Sequence, residues 1–108
     1  MIAAPSGARL LVADADHALA SVLVQALEAR GHRVTRSATG ADALAALQRS
    51  PFDVALLDIR LPSPDGLELL RALATDHAAP EVVITTDESS VDAAVQAMRL
   101  GALAYLSK

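Results

Sequence analysis

The stretch from Phe52 to Gly66 constrains the fold more than any other part of this 108-residue sequence. It opens with a short apolar run, Val54 to Leu57, that ends at Asp58. A near-continuous apolar run of this length is typical of a strand that is buried on both faces of a parallel sheet. Because ligands collect at the carboxyl ends of parallel strands, Asp58 is a candidate functional residue. The alternative is that Asp58 only caps the turn that follows it.

The rest of the chain alternates between strand and helix patterns. Strands are predicted over residues 9–13, 32–37, 54–57, 81–86 and 103–107. The segments between them carry apolar residues at helical spacing, and Asp16 and Thr39 are placed to cap the first two helices. Strands alternating with helices predict an α/β fold with a doubly wound, five-stranded parallel sheet. With five strands and only four helices, one of the two helix layers lacks a helix. We therefore expect a fragment whose last helix, after Lys108, is missing.

Composition restricts the class of protein. The net charge is −4, the isoelectric point is about 5.1 and no basic run occurs, which argues against direct nucleic-acid binding by these residues. The absence of cysteine excludes disulfides, thiolate metal sites and cysteine nucleophiles. The apolar runs are too short to span a bilayer, and residues 1–8 lack the pattern of a secretory signal. We therefore expect a cytoplasmic domain without membrane association.

Polar residues lie at, or directly after, the ends of four of the predicted strands. In chain order they are Asp14 and Asp16, Asp58, Thr86, and Lys108. Because parallel strands end at one edge of a sheet, we expect these side chains to share that edge. Clustered carboxylates repel one another unless a cation intervenes, and Mg²⁺ is held by carboxylates, carbonyl oxygens and water. A hydroxyl and an ammonium beside them suit an anionic group, so the pattern indicates phosphoryl transfer to a carboxylate nucleophile.

Four stretches of the sequence together resemble the receiver domain of two-component response regulators. They are Leu-Leu-Val-Ala-Asp-Ala-Asp (10–16), Asp-Val-Ala-Leu-Leu-Asp-Ile-Arg-Leu-Pro-Ser-Pro-Asp-Gly (53–66), Val-Val-Ile-Thr-Thr (82–86) and Ser-Val-Asp-Ala-Ala-Val-Gln-Ala-Met-Arg-Leu-Gly-Ala-Leu-Ala-Tyr-Leu-Ser-Lys (90–108). The last looks most like receivers of the nitrogen-regulation and redox-regulation types. The resemblance implies a flavodoxin-like sheet order of 2-1-3-4-5, with residues 1–108 forming one receiver domain. It also implies a signalling domain, not a turnover enzyme, that controls transcription through its own DNA-binding output domain outside this chain.

The resemblance implies roles for individual residues. Asp58 is expected to be the phosphoacceptor for a sensor histidine kinase, and Thr86 and Lys108 are expected to contact the transferred group. Thr86 and Tyr105 would form the switch, with Tyr105 changing its rotamer as the Thr86 hydroxyl turns toward the phosphoryl oxygens. This change would alter the surface of the fourth helix and fifth strand, through which such domains dock or form a homodimer.

One position departs from the pattern of the family. Receivers usually carry two adjacent acidic residues after the first strand, but here Asp14 is followed by Ala15. The resemblance implies that Mg²⁺ is held by Asp14, Asp58 and the backbone carbonyl of Arg60, with the Ala15 position normally adding a carboxylate. We therefore expect a weakened Mg²⁺ site. Asp16 is a candidate substitute ligand, although capping the first helix competes for its side chain.

Two other functions remain open on the sequence. A degenerate receiver that acts as a protein-interaction module without phosphorylation would explain Ala15. Alternatively, Asp14-Ala15-Asp16 looks like the Asp-x-Asp signature of haloacid-dehalogenase-type phosphohydrolases, in which the first aspartate is the nucleophile and the second a general acid. Against the phosphohydrolase, Ala18 stands where that family usually has Thr or Val, and the chain is short for it.

Overall fold

The structure, a computed structural model, describes residues 7–87 and 90–108 as alternating strands and helices. The strands are β1 (Arg9–Ala13), β2 (Arg33–Ser37), β3 (Val54–Asp58), β4 (Glu81–Thr86) and β5 (Ala104–Ser107). The helices are α1 (His17–Ala29), α2 (Gly40–Arg49), α3 (Gly66–Leu73) and α4 (Val91–Arg99). The predicted order of elements is confirmed, and each strand boundary lies within one residue of its predicted position.

All five strands are parallel and lie in the order β2-β1-β3-β4-β5, which confirms the predicted doubly wound sheet. In β1, Ala13 pairs with Ser37 of β2 on one side and with Leu57 of β3 on the other. The residues that follow β1, β3, β4 and β5 therefore lie at the same edge of the sheet. This edge is called the carboxyl edge below.

The core is aliphatic because the chain has only two aromatic residues. Leu11, Leu57 and Ile84 of the central strands are fully buried, in one cluster with buried residues of α2, α3 and α4. The helices contribute small residues to the interior, including Ala20, Ala43 and Ala97, which allow them to approach the sheet closely.

The helix starts are fixed by side-chain caps, as predicted for α1 and α2. Asp16 accepts a hydrogen bond from the Leu19 nitrogen, and Thr39 accepts one from the Asp42 nitrogen. Each cap satisfies a backbone donor that has no partner within the helix. Because α1 and α2 follow β1 and β2, these caps also fix the loops at the carboxyl edge.

The helices are distributed unevenly over the two faces of the sheet. One layer contains α2, α3 and α4, where α3 contacts both α2 and α4, whereas α1 packs on β1 and β2. A groove of about 170 Å³ lies between α1 and β5, and its lining includes Leu19, Leu23 and Leu106. Among the described residues, the α1 face of the sheet carries one helix and the other face carries three. No helix in this part of the chain is long and apolar enough to cross a membrane.

A second apolar surface lies on α4 and around β5. It comprises Val91, Val95, Met98 and Leu103, whose exposed fractions range from 43% to 80%. The apolar residues that mark α4 in the sequence therefore face solvent for the most part, while Ala97 is the residue that α4 buries. Large apolar side chains exposed together are characteristic of interaction surfaces.

Candidate functional site

Three charged side chains meet at the carboxyl edge of the sheet. Asp14 follows β1, Asp58 ends β3 and Lys108 follows β5. The Lys108 Nζ lies 2.8 Å from Asp14 Oδ2 and 2.9 Å from Asp58 Oδ2. The side chains of Asp14, Asp58 and Lys108 are only 3%, 8% and 14% exposed, respectively. One ammonium thus bridges two nearly buried carboxylates and offsets the cost of burying two like charges.

Backbone hydrogen bonds at the strand ends hold these three residues in place. The Lys108 nitrogen donates to the Thr86 carbonyl at 2.7 Å, and the Asp14 nitrogen donates to the Ser37 carbonyl at 3.0 Å. Asp58 belongs to the ladder between β3 and β4. The positions of the charged groups are therefore set by the sheet, which favours a precise arrangement.

The environment of Lys108 changes its pKa. Burial alone would lower the pKa of the ammonium, but hydrogen bonds and charge from the Asp14 and Asp58 carboxylates exceed that effect and raise the pKa above its ordinary value. Lys108 is therefore a permanent cation at neutral pH.

The two oxygens of Asp58 have different partners. Oδ2 contacts Lys108, whereas Oδ1 accepts a hydrogen bond from the Arg60 nitrogen at 3.0 Å. Asp58 thus also caps the turn after β3, and the capping role that the sequence allowed coexists with a place in the charged cluster. The start of α3 packs closely on this turn, since a Cβ atom at Gly66 would lie 2.5 Å from the Asp58 carbonyl oxygen.

The segment after β1 provides one carboxylate to the cluster. Asp14 Oδ1 accepts from the Asp16 nitrogen at 2.8 Å, and Asp16 Oδ1 accepts from the Leu19 nitrogen at 3.1 Å. Asp16, the candidate substitute metal ligand, caps α1 through its Oδ1. Both Ala15 and Asp16 are exposed.

The donor set at this edge fits Mg²⁺ incompletely. Asp14 and Asp58 supply two buried carboxylates, and the backbone carbonyl of Arg60 belongs to the adjoining loop. Mg²⁺ binds through one or two carboxylates and retains several waters, so these donors are of the right kind. No group of three or more metal-ligating side chains occurs in residues 7–87 and 90–108, which leaves the set one carboxylate short of the pattern expected from the resemblance.

Thr86 and Tyr105 line a common cavity of about 210 Å³, together with Ile59, Arg60 and Ser90 among others. Thr86 is almost fully buried at 1% exposure. The Tyr105 hydroxyl is also buried and has no hydrogen-bond partner among the residues that the structure describes. The cavity gives both side chains space in which to change position.

Arg36 is a residue at this edge that no sequence motif marks. Its Nη2 donates to the backbone carbonyl of Asp14 at 3.2 Å. Its Nε is buried without a hydrogen-bond partner within the described ranges. A basic residue in an outer strand is normally a solvated surface residue, and only the register of β2 against β1 brings this one beside Asp14.

The fold and the site together define a doubly wound α/β domain with a lysine-bridged acidic pocket at its carboxyl edge. The model of the family described as response regulator receiver domain matches residues 10–108. The chain therefore belongs to the response regulator receiver domain family, whose members are signalling domains and not turnover enzymes. This match covers the Asp58 loop and the stretch 90–108, which the phosphohydrolase alternative leaves unexplained.

Relatives in sequence include transcriptional regulators. The transcriptional regulatory protein ZraR of Klebsiella oxytoca is 39% identical over 99 residues, covering 92% of this chain and 22% of that protein. The DNA-binding transcriptional regulator NtrC of Escherichia coli K12 is 42% identical over 97 residues, covering 90% of this chain and 21% of that protein. The chain thus spans about a fifth of the length of these relatives.

Solved structures of similar fold include two response regulators. A CheY-like receiver domain protein from Methanospirillum hungatei JF-1 has a TM-score of 0.86 and 33% identity, over 93% of this chain and 80% of that chain. A response regulator from Burkholderia pseudomallei, solved with a phosphorylated aspartic acid, a calcium ion and citrate, has a TM-score of 0.86 and 29% identity, over 94% of this chain and 60% of that chain.

Proposed function

We propose that this domain is a phosphoacceptor switch in which Asp58 receives a phosphoryl group from a sensor histidine kinase. The observation that carries the proposal is the placement of Lys108 2.9 Å from an Asp58 carboxylate oxygen at the carboxyl edge of the sheet. An ammonium fixed beside a carboxylate is suited to neutralise the charge of an incoming phosphoryl group. The phosphorylated aspartate of the Burkholderia pseudomallei relative is consistent with this chemistry.

In the proposed reaction a carboxylate oxygen of Asp58 attacks the phosphorus of a phosphohistidine in line with its leaving nitrogen. A new P–O bond forms as the P–N bond breaks, and the bonding electron pair passes to the imidazole of the kinase. The product on this domain is a mixed anhydride, an aspartyl phosphate. Lys108 neutralises charge on the transferred group, and the buried Thr86 hydroxyl is the candidate donor to a phosphoryl oxygen.

Asp14, Asp58 and the Arg60 carbonyl would hold Mg²⁺, which supplies further positive charge to a phosphoryl group when bound. Because Ala15 has no carboxylate and Asp16 caps α1, we infer a Mg²⁺ affinity lower by roughly 10-fold or more than that of a site with the additional acid.

The phosphoryl group adds about two negative charges at one point of the carboxyl edge. Attraction of the Thr86 hydroxyl toward that charge would change the cavity that Thr86 and Tyr105 share, and Tyr105 would repack in response. Tyr105 belongs to β5, beside the exposed apolar surface of α4, so the change reaches that surface. We propose that this surface controls a DNA-binding output domain or a homodimer contact; the NtrC relative, a DNA-binding transcriptional regulator, supports the first.

Incubation with acetyl phosphate and Mg²⁺ tests the proposal by intact-mass spectrometry. We expect a mass gain of one phosphoryl group in the native sequence and none in Asp58→Asn. Asp53→Asn is the matched control, because Asp53 directly precedes the same strand but is exposed at its opposite end. Equal phosphorylation of Asp58→Asn and the native sequence would refute the assignment of Asp58.

A second candidate function is a phosphorylation-independent interaction module. Ala15 at the acidic position, the use of Asp16 as a cap and the exposed apolar surface on α4 favour it. In that case the native sequence gains no phosphoryl group, and restoring the acid through Ala15→Asp is required for any gain.

A further inference from the structure

Arg36 places a second positive charge at the acidic pocket, on the side opposite Lys108. It pairs with Val12 in the ladder between β2 and β1, two residues before Asp14. Its guanidinium extends past the end of β1 and donates to the Asp14 carbonyl at 3.2 Å. Lys108 reaches the Asp14 carboxylate from the opposite edge of the sheet, at 2.8 Å. Asp14 is therefore held between a guanidinium and an ammonium.

The charges of this group of four residues balance without a metal. Asp14 and Asp58 contribute two negative charges, and Lys108 and Arg36 contribute two positive charges. In such a partly buried setting, charges within several ångströms interact more strongly than they do in bulk water. Any further cation that binds the carboxylates is therefore repelled by the positive charges of both Lys108 and Arg36. An acidic side chain at position 15 would shift the balance toward the metal, but Ala15 supplies none.

We propose that Arg36 sets the affinity of this pocket for divalent cations and keeps it low. The inference rests on the proposed function only in taking Asp14 and Asp58 as the cation ligands. Its physical basis is the direct contact between Arg36 and the backbone of one of those ligands, together with the burial of its unpartnered Nε, which limits screening of the guanidinium by water.

Arg36 could instead act only by holding the turn that carries Asp14 in position. The two roles predict opposite changes in cation affinity when Arg36 is replaced. If Arg36 only positions the turn, its replacement loosens Asp14 and weakens cation binding. If its charge opposes the cation, its replacement strengthens cation binding, and the gain decreases as the ionic strength rises.

The test is a titration with Mg²⁺ in the absence of any phosphodonor. Binding is monitored by NMR chemical shifts, at two ionic strengths. Arg36→Gln retains a donor for the Asp14 carbonyl, and Arg36→Met retains the aliphatic stem. Both variants remove the positive charge but preserve different parts of the structure, so an effect that they share is due to the charge. We expect both to bind Mg²⁺ about 5- to 10-fold more tightly than the native sequence at low salt. Arg36→Lys, which keeps the charge, should bind within about twofold of the native sequence.

Arg33→Gln is the matched control, because Arg33 is an exposed arginine on the same strand, opposite Arg9 at the far end of the ladder. It removes the same net charge and should change the affinity by less than about twofold. Thermal unfolding of each variant shows whether it is folded, and either neutral variant suffices for the test.

Unchanged or weaker Mg²⁺ binding in the folded neutral variants would overturn the inference, as would an equal gain in Arg33→Gln or no detectable binding in any variant. These outcomes are independent of phosphorylation. Failure of Asp58 to accept a phosphoryl group would refute the proposed function and leave the effect of Arg36 on cation affinity to be decided by the titration.

Discussion

The ammonium of Lys108 lies 2.9 Å from the carboxylate of Asp58, although β4 separates the strands that carry them. Lys108 follows β5 at the edge of the sheet, and its side chain crosses the end of β4 to reach β3. The contact therefore ties the last strand to the central one through a charged pair that is largely removed from solvent. Both the stability of the domain and the chemistry of Asp58 should depend on it.

Replacing Lys108 by methionine should destabilise the domain. The variant leaves the Asp14 and Asp58 carboxylates buried beside each other without the bridging cation, and the expected loss is about 3 kcal/mol in the free energy of unfolding. Urea unfolding in the presence of a chelator measures it. Adding Asp58→Asn to Lys108→Met should recover part of the loss, because it removes one of the two repelling charges. Equal stability of Lys108→Met and the native sequence would show that the bridge contributes nothing.

The contribution of the bridge should depend on pH in the alkaline range. The folded-state pKa of Lys108 is raised above its ordinary value of 10.5, so the ammonium binds its proton more tightly in the folded protein than in the unfolded chain. The stabilisation is therefore fully present below pH 10.5 and is lost as the pH rises through the higher, folded-state pKa. We expect the stability difference between the native sequence and Lys108→Met to be constant between about pH 8 and pH 10 and to shrink above that. A difference that shrinks below about pH 10 instead would contradict the raised pKa.

Gly66→Ala should disturb the Asp58 loop specifically. The new Cβ would lie 2.5 Å from the Asp58 carbonyl oxygen and 3.0 Å from the Ile59 Cα, which are backbone atoms that must shift. We expect a loss of about 1–3 kcal/mol in stability and slower phosphorylation by acetyl phosphate. Gly101→Ala is the control, because Gly101 has φ of +95° but a Cβ added there would meet no atom within 4 Å. It should lose stability through backbone strain without slowing phosphorylation of the folded protein.

Ala15→Asp should strengthen Mg²⁺ binding. It introduces a carboxylate at the position where the resemblance predicts a metal ligand, and we expect the affinity to rise by roughly 10-fold or more. Ala18→Asp, in the first turn of α1, is the control for an added negative charge near the site, since Ala18 is also exposed. A similar gain in both variants would indicate a general charge effect and not a ligand.

Local signals in the sequence predict the secondary structure and the parallel sheet, whereas the strand order is what the resemblance to receiver domains implies. Asp16 and Thr39 sit directly before runs of helical periodicity, and the structure uses both as caps. The alternation of strands and helices allowed the parallel sheet to be predicted, and with it the shared edge of Asp14, Asp58 and Lys108. That Lys108 contacts both carboxylates at once depends on side-chain reach across β4, which no pattern in the sequence encodes.

Periodicity was less informative about which side of a helix is buried. Val91, Val95 and Met98 have the spacing of an apolar helix face, yet they are mostly exposed, and Ala97 packs inward. The reason is that a small residue allows α4 to approach the sheet, whereas the larger residues form a surface that the described chain leaves open. Arg36 was missed for a related reason, since only pairing between β2 and β1 brings it to Asp14.

The most direct test of the central claim is chemical trapping of the aspartyl phosphate. Borohydride reduces the mixed anhydride of an aspartyl phosphate to homoserine, which marks the phosphorylated residue in peptide mass spectra. After treatment with acetyl phosphate and Mg²⁺, we predict homoserine at position 58 and unmodified aspartate at positions 14, 16 and 53. Homoserine at another position, or none under conditions that phosphorylate a known receiver domain, would contradict the assignment of Asp58 as the phosphoacceptor.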